Sequence, residues 1–193
     1  MRISGGTAKG RRTAAKRILA ATSTAERLRP TSAKVREALF DILRNRISGA
    51  IFLDLYAGTG TVGFEALSRG ADKVVFVEAD LVRARAIQGI AQELGFSDKS
   101  VIKKCPASDF LRKAADEKAI FDIIFADPPY SSEDITIVLP IIEGGGLLTE
   151  EGIFITEHYF KVKVPDAEGM LRKQKTYRYG DTMLTLYRKA DGG

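Results

Sequence analysis

From Ile51 to Ile142, short apolar runs alternate with amphipathic stretches, and this alternation limits the fold more than any other feature of the chain. Ile51–Tyr56, Val74–Val77, Val101–Lys104 and Phe121–Ala126 read as strands. Between them, apolar positions at helical spacing predict helices over Thr61–Arg69 and Leu81–Leu94 and a short one near Phe110–Ala115. Ile135, Val138, Leu139 and Ile142 share one face of a further helix, and Gly152–Thr156 reads as a fifth strand. Lys173–Tyr179 and Thr182–Tyr187 form a closing pair, with Gly180 and Asp181 at the turn. The expected fold is α/β, with a mainly parallel seven-stranded sheet and helices on both faces.

Ahead of this region, "RPTSAKVREALFDILRNR" is a helix: Val35, Leu39, Ile42 and Leu43 repeat on one face, and Ser32 or Thr31 caps its start after Pro30. Residues 1–30 form a small basic extension rich in glycine, with short strands expected at 2–4 and 17–19. Residues 31–189 make one domain and 190–193 a tail, which suits a chain of 193 residues.

Parallel α/β sheets bind ligands at the carboxyl ends of their strands. After the first strand comes "DLYAGTGTVGFEAL", with Gly58, Gly60 and Gly63 at the spacing of a dinucleotide-binding turn. The first glycine serves a tight turn, the second a close backbone approach to ligand, the third close packing of helix on sheet. A helix start that merely happens to be glycine-rich is the plain alternative. Glu78 ends "VVFVE", twenty residues after Gly58, where a carboxylate accepts from both hydroxyls of a ribose. An adenosine-containing cofactor follows, and both NAD and S-adenosylmethionine fit that description. Asp54 favours the second: at the strand end it suits the ammonium of a methionine moiety and would repel a pyrophosphate.

The fourth strand ends in "FDIIFADPPYSSED". An exocyclic amine is a poor nucleophile because its lone pair is delocalised. Two acceptors that take both N–H protons draw the nitrogen toward tetrahedral geometry and aim the lone pair. Asp127 supplies one acceptor and the Pro128 carbonyl the other. Pro128 and Pro129 bring no N–H and fix φ, so the turn presents carbonyls without competing donors. Tyr130 gives a flat face for an extruded base. The second feature that favours S-adenosylmethionine is this motif; in isolation it would also read as a proline turn that closes a strand. Asp109 follows the third strand and could accept from an adenine amine, or could cap a helix, or both.

Charge is unevenly spread. Residues 1–50 carry twelve Lys/Arg against three Asp/Glu, while the other 143 carry eighteen against 22. Basicity gathered at one end points to a polyanion, most often nucleic acid; a solvated basic tail is the plainer alternative. Lys9, Arg11 and Arg12 are the phosphate contacts expected there. The single cysteine, Cys105, excludes an intramolecular disulfide and a cysteine-built metal site, and reads as a small buried residue. The single histidine, His158, is too isolated for a metal and reads as a packed or exposed residue after the fifth strand. Gly144, Gly145 and Gly146 lack the Lys-Ser/Thr of a phosphate loop and mark a helix end. No apolar run reaches the roughly 18 residues of a membrane span. The first residues lack the apolar stretch of a secretory signal, and Gly5, Gly6 and Gly10 interrupt an amphipathic transit helix. A cytoplasmic protein with no metal and no membrane partner is expected.

With these residues in place, the chain resembles the bacterial methyltransferases of the RsmD type, which modify guanine N2 at position 966 of 16S ribosomal RNA. The likeness is carried by "MRISGGTAKGRR", "RPTSAKVREALFDIL", "FLDLYAGTGTVGFEALSRGA", "VVFVEAD", "FDIIFADPPY" and "YGDTMLTLYRK", in that order and over nearly the whole chain. It implies a Rossmann-like methyltransferase fold, S-adenosylmethionine as donor, and 16S rRNA of the assembling small subunit as substrate, handled by a monomer. It further implies a donor site of Thr31, Asp54, Tyr56, Ala57, Gly58, Gly60, Glu78, Ala79, Asp109 and Asp127. Asp127, Pro128, Pro129 and Tyr130 match the catalytic motif, and Arg2, Lys9, Arg11, Arg12 and Arg29 are expected on RNA. Residues 13–28 match no family pattern. A methyltransferase acting on DNA adenine N6 or on protein glutamine, a non-catalytic assembly factor and a nicotinamide dehydrogenase are the alternatives.

Overall fold

The computed structural model describes residues 2–13, 32–129 and 133–190. The expected strand at 17–19, and Arg29, Pro30, Thr31 and Tyr130, lie outside the described residues.

Helix α1 (Ala33–Ile42) starts at Ser32, whose Oγ accepts from the Val35 N–H at 3.2 Å, and it buries Val35, Leu39 and Phe40. Then come β1 (Ile51–Leu55), α2 (Thr61–Ser68), β2 (Lys73–Val77), α3 (Leu81–Leu94), β3 (Ser100–Lys103), α4 (Ala107–Asp116), β4 (Phe121–Ala126) and α5 (Glu133–Gly144). The chain closes with β5 (Leu148–Tyr159), β6 (Ala167–Glu168), β7 (Leu171–Tyr179) and β8 (Thr182–Lys189). The sheet order is β3-β2-β1-β4-β5-β8-β7-β6. The first five strands in that order run parallel; β8, β7 and β6 add to them antiparallel. From β1 the chain builds outward through β2 and β3, then crosses to β4 and β5 on the other side. The crevice between β1 and β4 is therefore the topological switch point, where such sheets bind ligands.

Alternation along each strand divides the core in two. Phe52, Phe76, Ile123 and Phe125 face α1, α2 and α3, whereas Leu53, Leu55, Ile124 and Phe154 face α4 and α5. Each fully buried side chain of this size contributes about 1.5–3 kcal/mol. Helix α2 can lie against β2 because its first turn carries Gly63: a Cβ there would collide with the Phe76 ring and the Val74 side chain.

Three differences from the sequence reading have simple causes. The sheet has eight strands, because β6 is a two-residue edge pairing too short to leave any periodicity. Strand β5 begins at Leu148 and runs through Gly152, with a register irregularity in its pairing to β4, so His158 lies inside the strand. Helix α4 starts three residues before Phe110, with Pro106 at its N-cap, so Asp109 sits in the first turn and is not the cap.

Residues 2–12 fold back on themselves: Arg2 bridges Arg12, and the Ile3 N–H donates to the Arg11 carbonyl at 3.1 Å. Ile3 and Ala8 are buried in the α1–α3 core. The segment is tied down by Glu65, a fully buried carboxylate on α2. Glu65 accepts from the Ser4 N–H at 2.8 Å, the Ser4 hydroxyl at 2.7 Å and Arg69 Nε at 2.8 Å, with Arg36 at 3.8 Å. The Ala8 N–H reaches Ser68 Oγ at 2.9 Å, and the Arg11 guanidinium donates to the Leu94 and Glu93 carbonyls at 3.1 and 2.7 Å. Ser68 and Leu94 are the last residues of α2 and α3. Both helices run back from the carboxyl ends of the strands, so these anchors lie at the far edge of the sheet.

Candidate active site

Strand register brings the predicted residues together. Leu55 of β1 pairs with both Val77 of β2 and Ala126 of β4. The next residues, Tyr56, Glu78 and Asp127, are therefore level across three adjacent strands at the carboxyl edge. Asp54 stands two residues inside, 2 % exposed, and its Oδ2 accepts from the Gly63 N–H at 2.9 Å.

The chain turns sharply after β1. Tyr56 and Gly58 have φ of 59° and 58°, and Gly60, the N-cap of α2, has 70°. A side chain at Tyr56 in this region is strained, and the pairing on either side holds it: the Ala57 N–H donates to the Val77 carbonyl at 2.9 Å, and Gly60 to Ala57 at 2.7 Å. The glycine roles shift from the sequence reading. A Cβ at Gly60 would strike Phe64 and come close to Phe76, so Gly60 serves packing and not ligand approach. At Gly58 the nearest atom is the Tyr56 carbonyl, 3.9 Å away, so Gly58 is the glycine that faces open space.

Glu78 is buried but well supplied with donors. Its Oε2 accepts from the Gly58 N–H at 2.8 Å; its Oε1 accepts from the Asp80 N–H at 2.9 Å and meets Arg83 at 2.9 Å. The carboxylate thus fixes the glycine loop to the end of β2. Asp80 and Arg83 were not singled out in the sequence; a helix N-cap, which Asp80 also is, was the only signal there. Asp134 is a further addition: it hydrogen-bonds the Tyr56 phenol. Burial first, then that charge and hydrogen bond, push the Tyr56 pKa up, so the phenol stays protonated.

Burial also pushes the Asp54 carboxyl well above the usual aspartate range; the Gly63 N–H opposes this, while the charges of Asp127 and Glu78 add to it. Asp54 therefore senses both Asp127 and Glu78 around the glycine turn, an arrangement that a cation relieves. Among the described residues no cluster fits a metal ion.

The remaining expected residues fall at the margins. Pro128 is half-buried and Pro129 exposed, both directly after Asp127. Ala79 is exposed beside Glu78. Asp109, on the first turn of α4, is mostly exposed and pairs with Arg112 at 3.5 Å. His158 is buried, with Nε2 at 2.8 Å from Thr185 Oγ1, and burial lowers its pKa: it is a packed strand residue. Cys105 is half-buried, more exposed than expected. Arg2, Lys9 and Arg12 are exposed, but Arg11, expected on phosphate, is committed to the end of α3. No helix among the described residues is long and apolar enough to cross a membrane.

A parallel sheet with this strand order, a glycine turn after β1, an acid closing β2 and Asp-Pro-Pro closing β4 make this a Rossmann-like fold of the S-adenosylmethionine-dependent methyltransferase class. The structure is similar to that of "Putative methyltransferase yhhF" from Escherichia coli, with a TM-score of 0.82 and 27% identity, covering 98% of this chain and 97% of that one. The family described as "Conserved hypothetical protein 95" matches residues 1–188, and the chain belongs to this RsmD-type family. "Putative rRNA methyltransferase YlbH" of Bacillus subtilis is 33% identical over 189 residues, covering 98% of this chain and 99% of the relative. "Ribosomal RNA small subunit methyltransferase D" of Escherichia coli K12 is 30% identical over 169 residues, covering 86% and 82%.

Proposed function

We propose that the protein methylates 16S rRNA of the assembling small ribosomal subunit, transferring a methyl group from S-adenosylmethionine to the exocyclic N2 amine of a guanine, at position 966 by family likeness. The observation that carries this is the level row of Tyr56, Glu78 and Asp127 around the glycine turn, in a chain whose relatives are named as rRNA methyltransferases.

The residues fit the donor. Glu78 is held so that its carboxylate faces the loop; Oε1 already has two donors in Asp80 and Arg83, while Oε2, with only the Gly58 N–H, retains capacity to accept from a ribose hydroxyl. Gly58 leaves open space where a side chain would intrude. The repulsion of Asp54 by Asp127 and Glu78 favours a cationic ligand. When bound, S-adenosylmethionine supplies an electrophilic methyl group on a sulfonium sulfur. Asp127 and the Pro128 carbonyl accept the two N–H protons of the amine and turn its lone pair outward, which is catalysis by positioning and pre-organised dipoles. The proton released from the methylated nitrogen passes to Asp127 or to water. Tyr130 is the proposed stacking face, and Thr31 and Asp109 are proposed to flank the donor. Arg2, Lys9, Arg12 and Arg29 are proposed phosphate contacts, with Arg11 anchoring the segment that carries the first three.

The test is transfer of label from S-adenosylmethionine to small subunits that lack the modification, with free 16S RNA beside them, followed by nucleoside analysis. N2-methylguanosine at one position is expected. Label in adenine, in DNA or in protein would reassign the amine; tight donor binding without transfer would favour an assembly factor.

A further inference from the structure

The charge average over residues 51–193 conceals a second basic region. Residues 51–159 carry ten Lys/Arg against eighteen Asp/Glu, whereas residues 160–189 carry eight against three. Arg172 donates to the Gly169 and Leu171 carbonyls, and the other seven are used differently along the β7–β8 hairpin. At the end away from the site, Lys173 pairs with Asp166, Arg188 with Glu151 and Lys189 with Glu150. At the other end, Lys161, Lys163, Lys175 and Arg178 have no ion-pair partner among the described residues. Three of the four sit on aromatic rings: the Arg178 guanidinium lies 4.4 Å and the Lys161 ammonium 5.7 Å from the Phe160 ring centroid, and Lys175 lies 5.0 Å from that of Tyr177.

The position of this cluster follows from register. Tyr159 of β5 pairs with Thr182 of β8, which pairs with Tyr179 of β7. That row lies three residues beyond Thr156, the partner of Ala126 in β4. Strands β5, β8 and β7 therefore rise about 10 Å past Ala126, where β4 ends, and about 7 Å past the level of Asp127. They form a wall beside the acceptor side of the site. Phe160 crowns it, pinned by its N–H to the Asp181 carbonyl at 2.9 Å and packed edge-on against Tyr159 at 4.7 Å. Arg178 is held by Nε on the Gly180 carbonyl at 3.0 Å and remains exposed.

We infer that the tip of the β7–β8 hairpin, built on Phe160, Lys161 and Arg178, is a single-stranded RNA platform that holds the nucleotides flanking the target base. This rests on the RNA reading given above and extends it to a surface outside the donor and amine sites. The chemistry is the pairing used for unstacked RNA: a planar guanidinium fixed over a ring offers its outer face to a base, and adjacent ammonium groups meet the phosphates. The anionic site would repel a polyanion, so cations on the neighbouring wall are what bring the strand to Asp127.

The experiment measures methyl transfer to unmodified small subunits, and separately the binding of a fluorescein-labelled single-stranded RNA over a range of salt, for wild type, K161A/R178A and R178K. Both residues are exposed, and donor Kd checks folding. For K161A/R178A, KM for RNA should rise about tenfold and the log–log salt slope should shrink by roughly one to two units, while kcat and donor Kd stay within about twofold. R178K should keep the slope but lose about threefold in affinity, because an ammonium does not stack as a guanidinium does. Unchanged RNA affinity and slope in K161A/R178A would overturn the inference whether or not transfer is seen. Failure of the wild type to methylate RNA would instead overturn the reading of the substrate, and the binding arm would still decide the platform.

Discussion

The two basic regions of this protein have similar composition and opposite circumstances. At the N-terminus, the basic segment lies against the far ends of α2 and α3, and it is held by charge: Glu65 gathers Ser4, Arg36 and Arg69, and Arg11 meets the last carbonyls of α3. Arg11 and Arg36 there join secondary elements, while Arg2, Lys9 and Arg12 stay exposed. At the β7–β8 tip, Lys161, Lys175 and Arg178 stand over aromatic rings and make no ion pair among the described residues. The comparison teaches that a lysine or arginine count measures available charge only after internal partners are subtracted. The nearer, freer region is the one a sequence average erased.

The largest test removes the acid that holds the first region. Glu65→Ala should cost about 3–5 kcal/mol in denaturant unfolding, because Arg36 and Arg69 then lose a buried partner. A loss under ~1 kcal/mol would mean the segment is anchored by Ile3 and Ala8 alone. Next is Asp127→Ala, which belongs to neither region. It should reduce kcat by about 10²–10³-fold, the scale of one pre-organised contact, with RNA affinity unchanged. Full methylation by this variant would refute the acceptor mechanism.

Asp54 gives an intermediate effect with a definite pH sign. Its native pKa is raised, so the folded chain holds the proton more tightly than the unfolded one. Its contribution to stability is complete below the ordinary value near ~3.9 and is lost as pH rises through the native value. At neutral pH Asp54→Asn should therefore be at least as stable as wild type, yet bind S-adenosylmethionine about tenfold or more weakly, since the charge that suits a cation is gone. Wild-type donor affinity should weaken as pH falls toward the raised value; isothermal titration at several pH values checks both, and a flat profile would remove Asp54 from the donor site.

The smallest test contrasts the regions directly. Arg11→Ala should lower stability by about 1 kcal/mol through the loss of two helix-end hydrogen bonds, and leave the salt slope of RNA binding unchanged. Arg178→Ala should do the reverse. Equal slopes for the two variants would erase the distinction.

Much of this molecule was legible beforehand. Helix α3 and strand β4 run over the residues that periodicity indicated, because both are long enough, and apolar enough, for the pattern to show. Asp54, Gly58, Glu78 and Asp127 could be placed at one edge because alternation forces a parallel sheet, and a parallel sheet gathers its strand ends. What could not be read were relations between distant residues. Glu65 looks like a surface acid in "GFEAL", and only the folding back of residues 2–12 makes it a buried hub. Gly60 was read as the point of close ligand approach, yet Phe64 and Phe76 decide that it serves packing, as Gly63 does.

By itself, then, the sequence determined the parallel sheet, the edge at which chemistry occurs and the residue types that meet there, since local periodicity and strand-end punctuation are short-range properties. Tertiary structure alone decided which charges are committed and which are free. An ion pair such as Arg36–Glu65, or a cation over a ring such as Arg178 on Phe160, joins residues 18 to 29 positions apart. No local pattern encodes such a pairing; it exists only once the sheet has set the register between strands.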